Sequence, residues 1–127
     1  MSDTNDCVFC DIVDGIREGK ILLETDSYLC FLDKFPVNEG HALVVPKTHV
    51  QYLDEADSSA LYEFLEQAVA EVRRRYEPDG MNIGLNDGLA AGQTIPHLHW
   101  HIIPRYDGDI EDPTGGVRGV IPAERTY

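Results

Sequence analysis

Residues 96–104, Pro-His-Leu-His-Trp-His-Ile-Ile-Pro, alternate imidazole with large apolar side chains and hold three of the chain's five histidines. A period of two does not fit a helix, whereas successive side chains of a strand point to opposite faces. His97, His99 and His101 are therefore expected in a row on one face of an extended segment, roughly 7 Å apart at the backbone. Leu98, Trp100 and Ile102 would then face a core. Because the residues between them are large and apolar, three unrelated surface histidines describe the pattern poorly. Two uses fit such a row: H-x-H pairs on strands can chelate zinc, and imidazole is suited to nucleophilic and acid–base catalysis near neutral pH.

The rest of the chain supplies more strands and one substantial helix. Residues 21–25 (Ile-Leu-Leu-Glu-Thr) and 28–33 (Tyr-Leu-Cys-Phe-Leu-Asp) read as a hairpin. Turn residues follow at 35–40, and 41–46 (His-Ala-Leu-Val-Val-Pro) read as a buried strand stopped by Pro46. A helix is expected over 58–76, capped by Asp57, with Leu61, Leu65, Ala68, Val69, Val72 and Tyr76 at helical spacing. Arg73, Arg74 and Arg75 complement its dipole, and Pro78 and Gly80 end it. Residues 81–86 read as a strand, 87–92 as a loop of small residues and 97–103 as the histidine strand, while 7–15 form a short helix or turn. The pattern predicts an α+β fold, an antiparallel sheet with one main helix and a short N-terminal helix. One domain is expected over 1–127, with its core at about 7–106 and an irregular tail at 107–127.

Charge narrows the partners. A net charge of −13, with only Lys20, Lys34 and Lys47 as lysines, discourages binding to nucleic acid. It also repels phosphorylated substrates unless the site escapes the field. Between Asn86 and Tyr106 the only formal charges are Asp87 and Arg105, so the histidine region can escape it. No apolar run approaches the roughly 18 residues of a membrane span. The polar, acidic start is unlike a signal peptide, so a cytoplasmic location and no membrane partner are expected. Three cysteines suit a disulfide framework poorly. Cys30 reads as a small buried hydrophobe. Cys7-x-x-Cys10 is open to three readings at this point: a redox pair, half of a zinc site, or coincidence.

Several of these stretches resemble the histidine-triad (HIT) family. Residues 92–103, Gly-Gln-Thr-Ile-Pro-His-Leu-His-Trp-His-Ile-Ile, are similar to the signature of three histidines separated by apolar residues. Residues 31–49 resemble the family's upstream strand-loop-strand, 7–15 its N-terminal segment, and 86–93 (Asn-Asp-Gly-Leu-Ala-Ala-Gly-Gln) the loop leading into the triad. The similarity covers about residues 7–106 in the right order. It implies nucleotide hydrolases and transferases acting at an α-phosphate. His99 would be the nucleophile, forming a nucleotidyl-histidine, and His101 would face the phosphate oxygens or leaving group. Asn86, Gln93 and Thr94 match phosphate-contacting or neighbouring positions. Gly88 and Gly92 would let loop amides approach the anion. Asp33 matches the ribose contact, and Phe9, Ile12 and Phe31 match the walls of a purine pocket, although core packing explains them as well. His41 is expected as a supporting partner of the row.

Some family members pair two cysteines with two histidines. The resemblance thereby implies Cys7, Cys10, His49 and His97 as ligands of a structural zinc, closed to activating water. A catalytic zinc on all three triad histidines is the competing arrangement, and it leaves Cys7 and Cys10 without a purpose. Nothing requires magnesium for catalysis. Pro104-Arg105 and Gly108-Asp109 resemble the dinucleoside-polyphosphate hydrolase branch, and the Trp-Pro-Pro-Gly ending of the phosphoramidase branch is absent. The expected activity is hydrolysis of a dinucleoside polyphosphate such as diadenosine tetraphosphate, releasing a nucleoside monophosphate. The alternatives are a nucleoside phosphoramidate hydrolase and a nucleotide-binding module without significant turnover. The family is commonly homodimeric, so a homodimer is expected.

Overall fold

A computed structural model describes residues 7–126; residues 1–6, on which most of the expectation of no signal peptide rests, and Tyr127 lie outside the described residues. Helix α1 (Val8–Val13) is followed by β1 (Ile21–Glu24), β2 (Tyr28–Leu32), β3 (Ala42–Pro46), α2 (Leu61–Tyr76), β4 (Gly80–Leu85) and β5 (Trp100–Arg105). All neighbouring strands pair antiparallel, in the order β1-β2-β3-β5-β4. The expected α+β class is observed. No described helix is long and apolar enough to cross a membrane.

The sheet separates two apolar clusters, and alternation along each strand decides which residue joins which. Tyr28, Cys30, Ala42, Val44 and Ile102 meet Leu61, Phe64, Ala68 and Val72 of α2 on one face. Leu29, Phe31, Leu43 and Val45 meet Cys7 and, from α1, Phe9, Cys10 and Ile12 on the other. β3 lies mid-sheet with both faces covered, so every one of its residues is buried. Its run of apolar residues follows from that position. Phe64 stacks on Tyr28 with ring centroids 5.4 Å apart; truncating it to Ala removes about 3–5 kcal/mol by the usual cavity cost.

Three expectations are corrected. The main helix begins at Leu61, not at residue 58, and Asp57 does not cap it: the carboxylate accepts from Ser59 N–H, two residues on, and so holds a separate turn. The first helical bond runs from Phe64 N–H to Ala60 C=O. At the other end Glu77, in the left-handed conformation at φ 48°, stops the helix, and Gly80 already belongs to β4. The histidine strand is shorter than the pattern suggests. β5 opens at Trp100, because Leu98 N–H donates to Val50 C=O, outside the sheet ladder. The tail is also less irregular than expected, with 3₁₀ turns at Gly116–Val120 and Pro122–Glu124, and Arg125 donating to the carbonyls of Asp112 and Thr114.

Candidate active site

The face carrying α1 also carries the histidines. His101 is paired with Leu43 across β3 and β5. His99 and His97, just before β5, both meet the Phe9 ring edge-on, at centroid distances of 4.9 and 5.9 Å. His99 and His101 are 5.1 Å apart by ring centroids. The row therefore forms, half on the strand and half on the segment entering it, with Trp100 and Ile102 on the α2 face.

Backbone carbonyls and one backbone amide decide the tautomers. His97 Nε2–H donates to Pro46 C=O at 2.8 Å, which turns its unprotonated Nδ1 toward Cys7 Sγ at 3.4 Å and Cys10 Sγ at 3.5 Å. His99 Nδ1–H donates to the His97 carbonyl at 2.8 Å, leaving its Nε2 lone pair free. Val37 N–H donates to His41 Nδ1 at 3.0 Å, so His41 carries its proton on Nε2. That proton goes to His101 Nδ1 at 2.9 Å, and His101 in turn keeps Nε2–H as a donor. Burial pushes the pKa of His99 down, against the His97 carbonyl and Asp33. Burial, helped by His99 and His41, pushes that of His101 down to about 4. His41 is also lowered by burial, opposed by Asp33. The row is thus neutral at pH 7: one free nucleophilic nitrogen beside one fixed N–H donor.

Two groups of ligand-type side chains occur among the described residues. Ligand atoms of Cys7, Cys10, His49 and His97 lie within 4.8 Å of one another, with His49 Nδ1 at 3.2 Å from Cys10 Sγ. Two thiols and two imidazole nitrogens turned inward fit a tetrahedral Cys₂His₂ ion. Burial, then the neighbouring Cys7 thiol, pushes the Cys10 pKa up to about 12, so the thiolate needs a cation to form. Asp33, His41 and His101 form the second group. It does not fit a metal, because the Val37 amide places the His41 proton on Nε2, the atom that would have to ligate.

Asp33 lies at the edge of this face. Its Oδ2 is 3.4 Å from His41 Nε2 and its Oδ1 accepts from Phe35 N–H at 2.9 Å. Phe9, Ile12 and Phe31 are buried together, with Phe9 packed edge-on against Phe31. Only Phe9 of the three has a ring contact with the triad among those described. The loop before the triad differs from the expectation in its use of amides. Gly88 N–H is taken by Gln93 Oε1, and those of Ala91, Gly92 and Gln93 by carbonyls of the same turn. Gly88 (φ 98°) and Gly92 (φ 102°) are needed for that turn itself. Gln93 is buried, its amide donating to the carbonyls of Gln51 and Ile95, so it braces the loop. Asn86 is half-buried. Thr94 is exposed, on a cleft of about 850 Å³ lined also by Cys7, His49 and Glu55, which His99 does not line.

Sequence reasoning missed the Val37 amide and the Pro46 carbonyl, the two backbone groups that set the tautomers of His41 and His97. Backbone partners carry no side-chain signal. It also missed the clamp in which Arg105 pairs with Asp109 at 2.8 Å while Asp109 accepts from Asn38 at 2.7 Å.

Known proteins resemble this chain over most of its length. The HIT domain family matches residues 16–108. An uncharacterized HIT-like protein of Methanocaldococcus jannaschii is 44% identical over 107 residues, 83% of each chain. The adenylylsulfatase HINT3 of Arabidopsis thaliana is 39% identical over 108 residues, 83% of this chain and 55% of that one. The crystal structure of a zinc-bound histidine triad family protein from Mycobacterium smegmatis superposes with a TM-score of 0.76 at 37% identity, covering 86% of this chain and 81% of the other. With the triad, its tautomers and the surrounding fold all in place, the chain belongs to the HIT family.

Proposed function

We propose that this protein is a nucleotide hydrolase that cleaves dinucleoside polyphosphates at an α-phosphate. The observation that carries the reading is the His97 carbonyl holding His99 Nδ1–H, which frees Nε2 for attack beside the N–H of His101. His99 Nε2 attacks the α-phosphorus, the bond from phosphorus to the bridging oxygen breaks, and the remaining nucleotide leaves as an anion. Water then attacks the nucleotidyl-histidine, releasing the nucleoside monophosphate, a proton and neutral His99. His101 donates a hydrogen bond to a phosphate oxygen. Held neutral, it is a poor proton source. A polyphosphate leaving group needs none, whereas an amine does, which favours cleavage of phosphorus–oxygen over phosphorus–nitrogen bonds.

Asp33 accepts from the ribose, Phe9, Ile12 and Phe31 wall the purine, and Asn86 and Thr94 hold phosphate, with Gln93 keeping their loop in shape. The Cys₂His₂ cluster takes a structural zinc, supported by its donor set and by the zinc-bound relative. The ion would lend His97 its rigidity; no step passes through it. The outer edge of β4, with Ile83 exposed, supports a homodimer joined there.

A second reading is adenylyl sulfate hydrolysis, favoured by the similarity to the Arabidopsis adenylylsulfatase. The attack is the same and sulfate leaves. Steady-state rates on diadenosine tetraphosphate, adenylyl sulfate and adenosine 5′-phosphoramidate, for the protein and for His99→Ala, test all of this. The tetraphosphate is expected to lead and the variant to be inactive. Preference for the phosphoramidate overturns the leaving-group argument, and binding without turnover in the unmodified protein leaves only a nucleotide-binding module.

A further inference from the structure

The loop between β2 and β3, residues 33–41, is pinned along its length. Asp33 N–H donates to His41 C=O across its neck at 2.9 Å, and Asp33 Oδ1 accepts from Phe35 N–H at 2.9 Å. Val37 N–H is held by His41 Nδ1 at 3.0 Å. Asn38 donates to Pro104 C=O at 3.0 Å and to Asp109, itself clamped by Arg105. Phe35 is 80% exposed, with Lys34 Nζ 5.9 Å from its ring centroid.

We propose that Lys34 and Phe35 are the subsite for the second nucleoside, the one on the departing nucleotide, whose base stacks on the Phe35 ring while the Lys34 ammonium meets its phosphates. The proposal rests on the dinucleoside polyphosphate reading above. Its first support is position. The Asp33 carboxylate, which accepts from the Phe35 backbone N–H, also lies 3.4 Å from His41, and His41 is hydrogen-bonded to His101, so the backbone that carries the aromatic is linked to the reacting centre through two side chains, Asp33 and His41. The second is charge: the chain carries −13 with three lysines, and Lys47 is paired with Glu24. Lys34, next in sequence to Asp33 and with its ammonium by the Phe35 ring, adds a cation to an acidic chain that must draw in a polyphosphate. The third is contrast. Phe9 and Phe31 are buried against the core, whereas Phe35 offers an open face that suits any base, since stacking discriminates weakly among them.

The test compares KM for diadenosine tetraphosphate with KM for adenosine 5′-tetraphosphate, which has the same phosphate chain and no second nucleoside. In Phe35→Ala the ratio of the first KM to the second is expected to rise roughly tenfold, the usual scale for losing one stacked base, and Phe35→Trp is expected to restore it. Size-exclusion chromatography accompanies each variant. An unchanged ratio, an equal loss on both substrates or a changed oligomeric size in Phe35→Ala overturns the proposal while leaving the hydrolase reading intact. If the unmodified protein cleaves neither substrate, that reading fails and takes the proposal with it.

Discussion

His97 serves two neighbours at once: its carbonyl oxygen accepts from His99 Nδ1–H at 2.8 Å, while its own ring turns Nδ1 to the thiol of Cys7, 3.4 Å away. Anything that fixes the His97 ring also fixes the orientation of the nucleophile. The proposed metal cluster and the proposed chemistry are thus joined through one residue, and variants on either side of it separate their contributions.

His99→Ala removes the attacking nitrogen. The expected fall in kcat is at least about 10³-fold, with the far-ultraviolet circular dichroism of the unmodified protein retained. Residual turnover within tenfold of normal would rule His99 out as the nucleophile.

His41→Ala removes the donor that sets the tautomer of His101. An expected loss of about 10²-fold in kcat, with KM little changed, follows from His101 presenting a lone pair where an N–H is needed. His41→Gln, whose amide can donate, should recover part of it. Nitrogen-15 chemical shifts of His101 check the cause directly, because a merely structural role for His41 would leave that tautomer unmoved.

The row of imidazoles and its apolar backing are legible in the alternating pattern alone, since strand geometry is local. The residues around the row are legible only by resemblance. What the sequence does not reveal lies in backbone partners and competing turns. Val37 and Pro46 act through main-chain atoms. Gln93 matches a phosphate-loop position, yet its amide is committed to Gly88, Gln51 and Ile95. Asp57 has the chemistry of a helix cap, but its carboxylate is taken by Ser59. Phe64, absent from the predicted helical stripe, is one of its most buried members because Tyr28 comes to meet it from β2.

With the proposed zinc in the Cys₂His₂ cluster, Cys10→Ser should reduce the bound metal to a small fraction of that in the unmodified protein, read by elemental analysis. Loss of the tether between α1 and His97 is expected to lower stability on the order of 2 kcal/mol, or roughly 8 °C in Tm for a domain of this size. Full zinc content in the variant would exclude the thiol as a ligand.

The pH dependence has a definite sign. His41, buried, and His101, half-buried, are held neutral, with folded pKa values below the ordinary 6.5, that of His101 at about 4. The unfolded chain therefore binds more protons than the folded one between these values. Stability is complete above about pH 6.5 and declines as pH falls toward 4. For the same reason the acid limb of kcat/KM, set by protonation of His99, should have its midpoint below 6.5. Urea melts and rate profiles between pH 4 and 8 measure both; a midpoint above 6.5 would contradict a buried neutral nucleophile.

Gly40 stands at φ 89°, and a Cβ there would come within 2.7 Å of the Tyr76 ring at the end of α2. Gly40→Ala is expected to cost about 2–3 kcal/mol from strained backbone and overpacking together, as a lower denaturation midpoint. A midpoint within experimental error of the unmodified protein would mean that the ring yields freely.

Helix α1 and the Cys7 that caps it supply two thiols and Phe9 but no strand, and the thiols meet His97 across 90 and 87 positions of chain. Closing so long a span is entropically slow, whereas the β1–β2 and β2–β3 hairpins and their contacts with α2 are assembled from nearer neighbours. The tie from the thiols to His97 is thus of longer range than the pairing of β3 with β5, although α1 also packs on Leu29 and Phe31 of the nearby β2. A chain with α1 undocked would keep the strand that carries His101, yet lack the Phe9 ring beside His99.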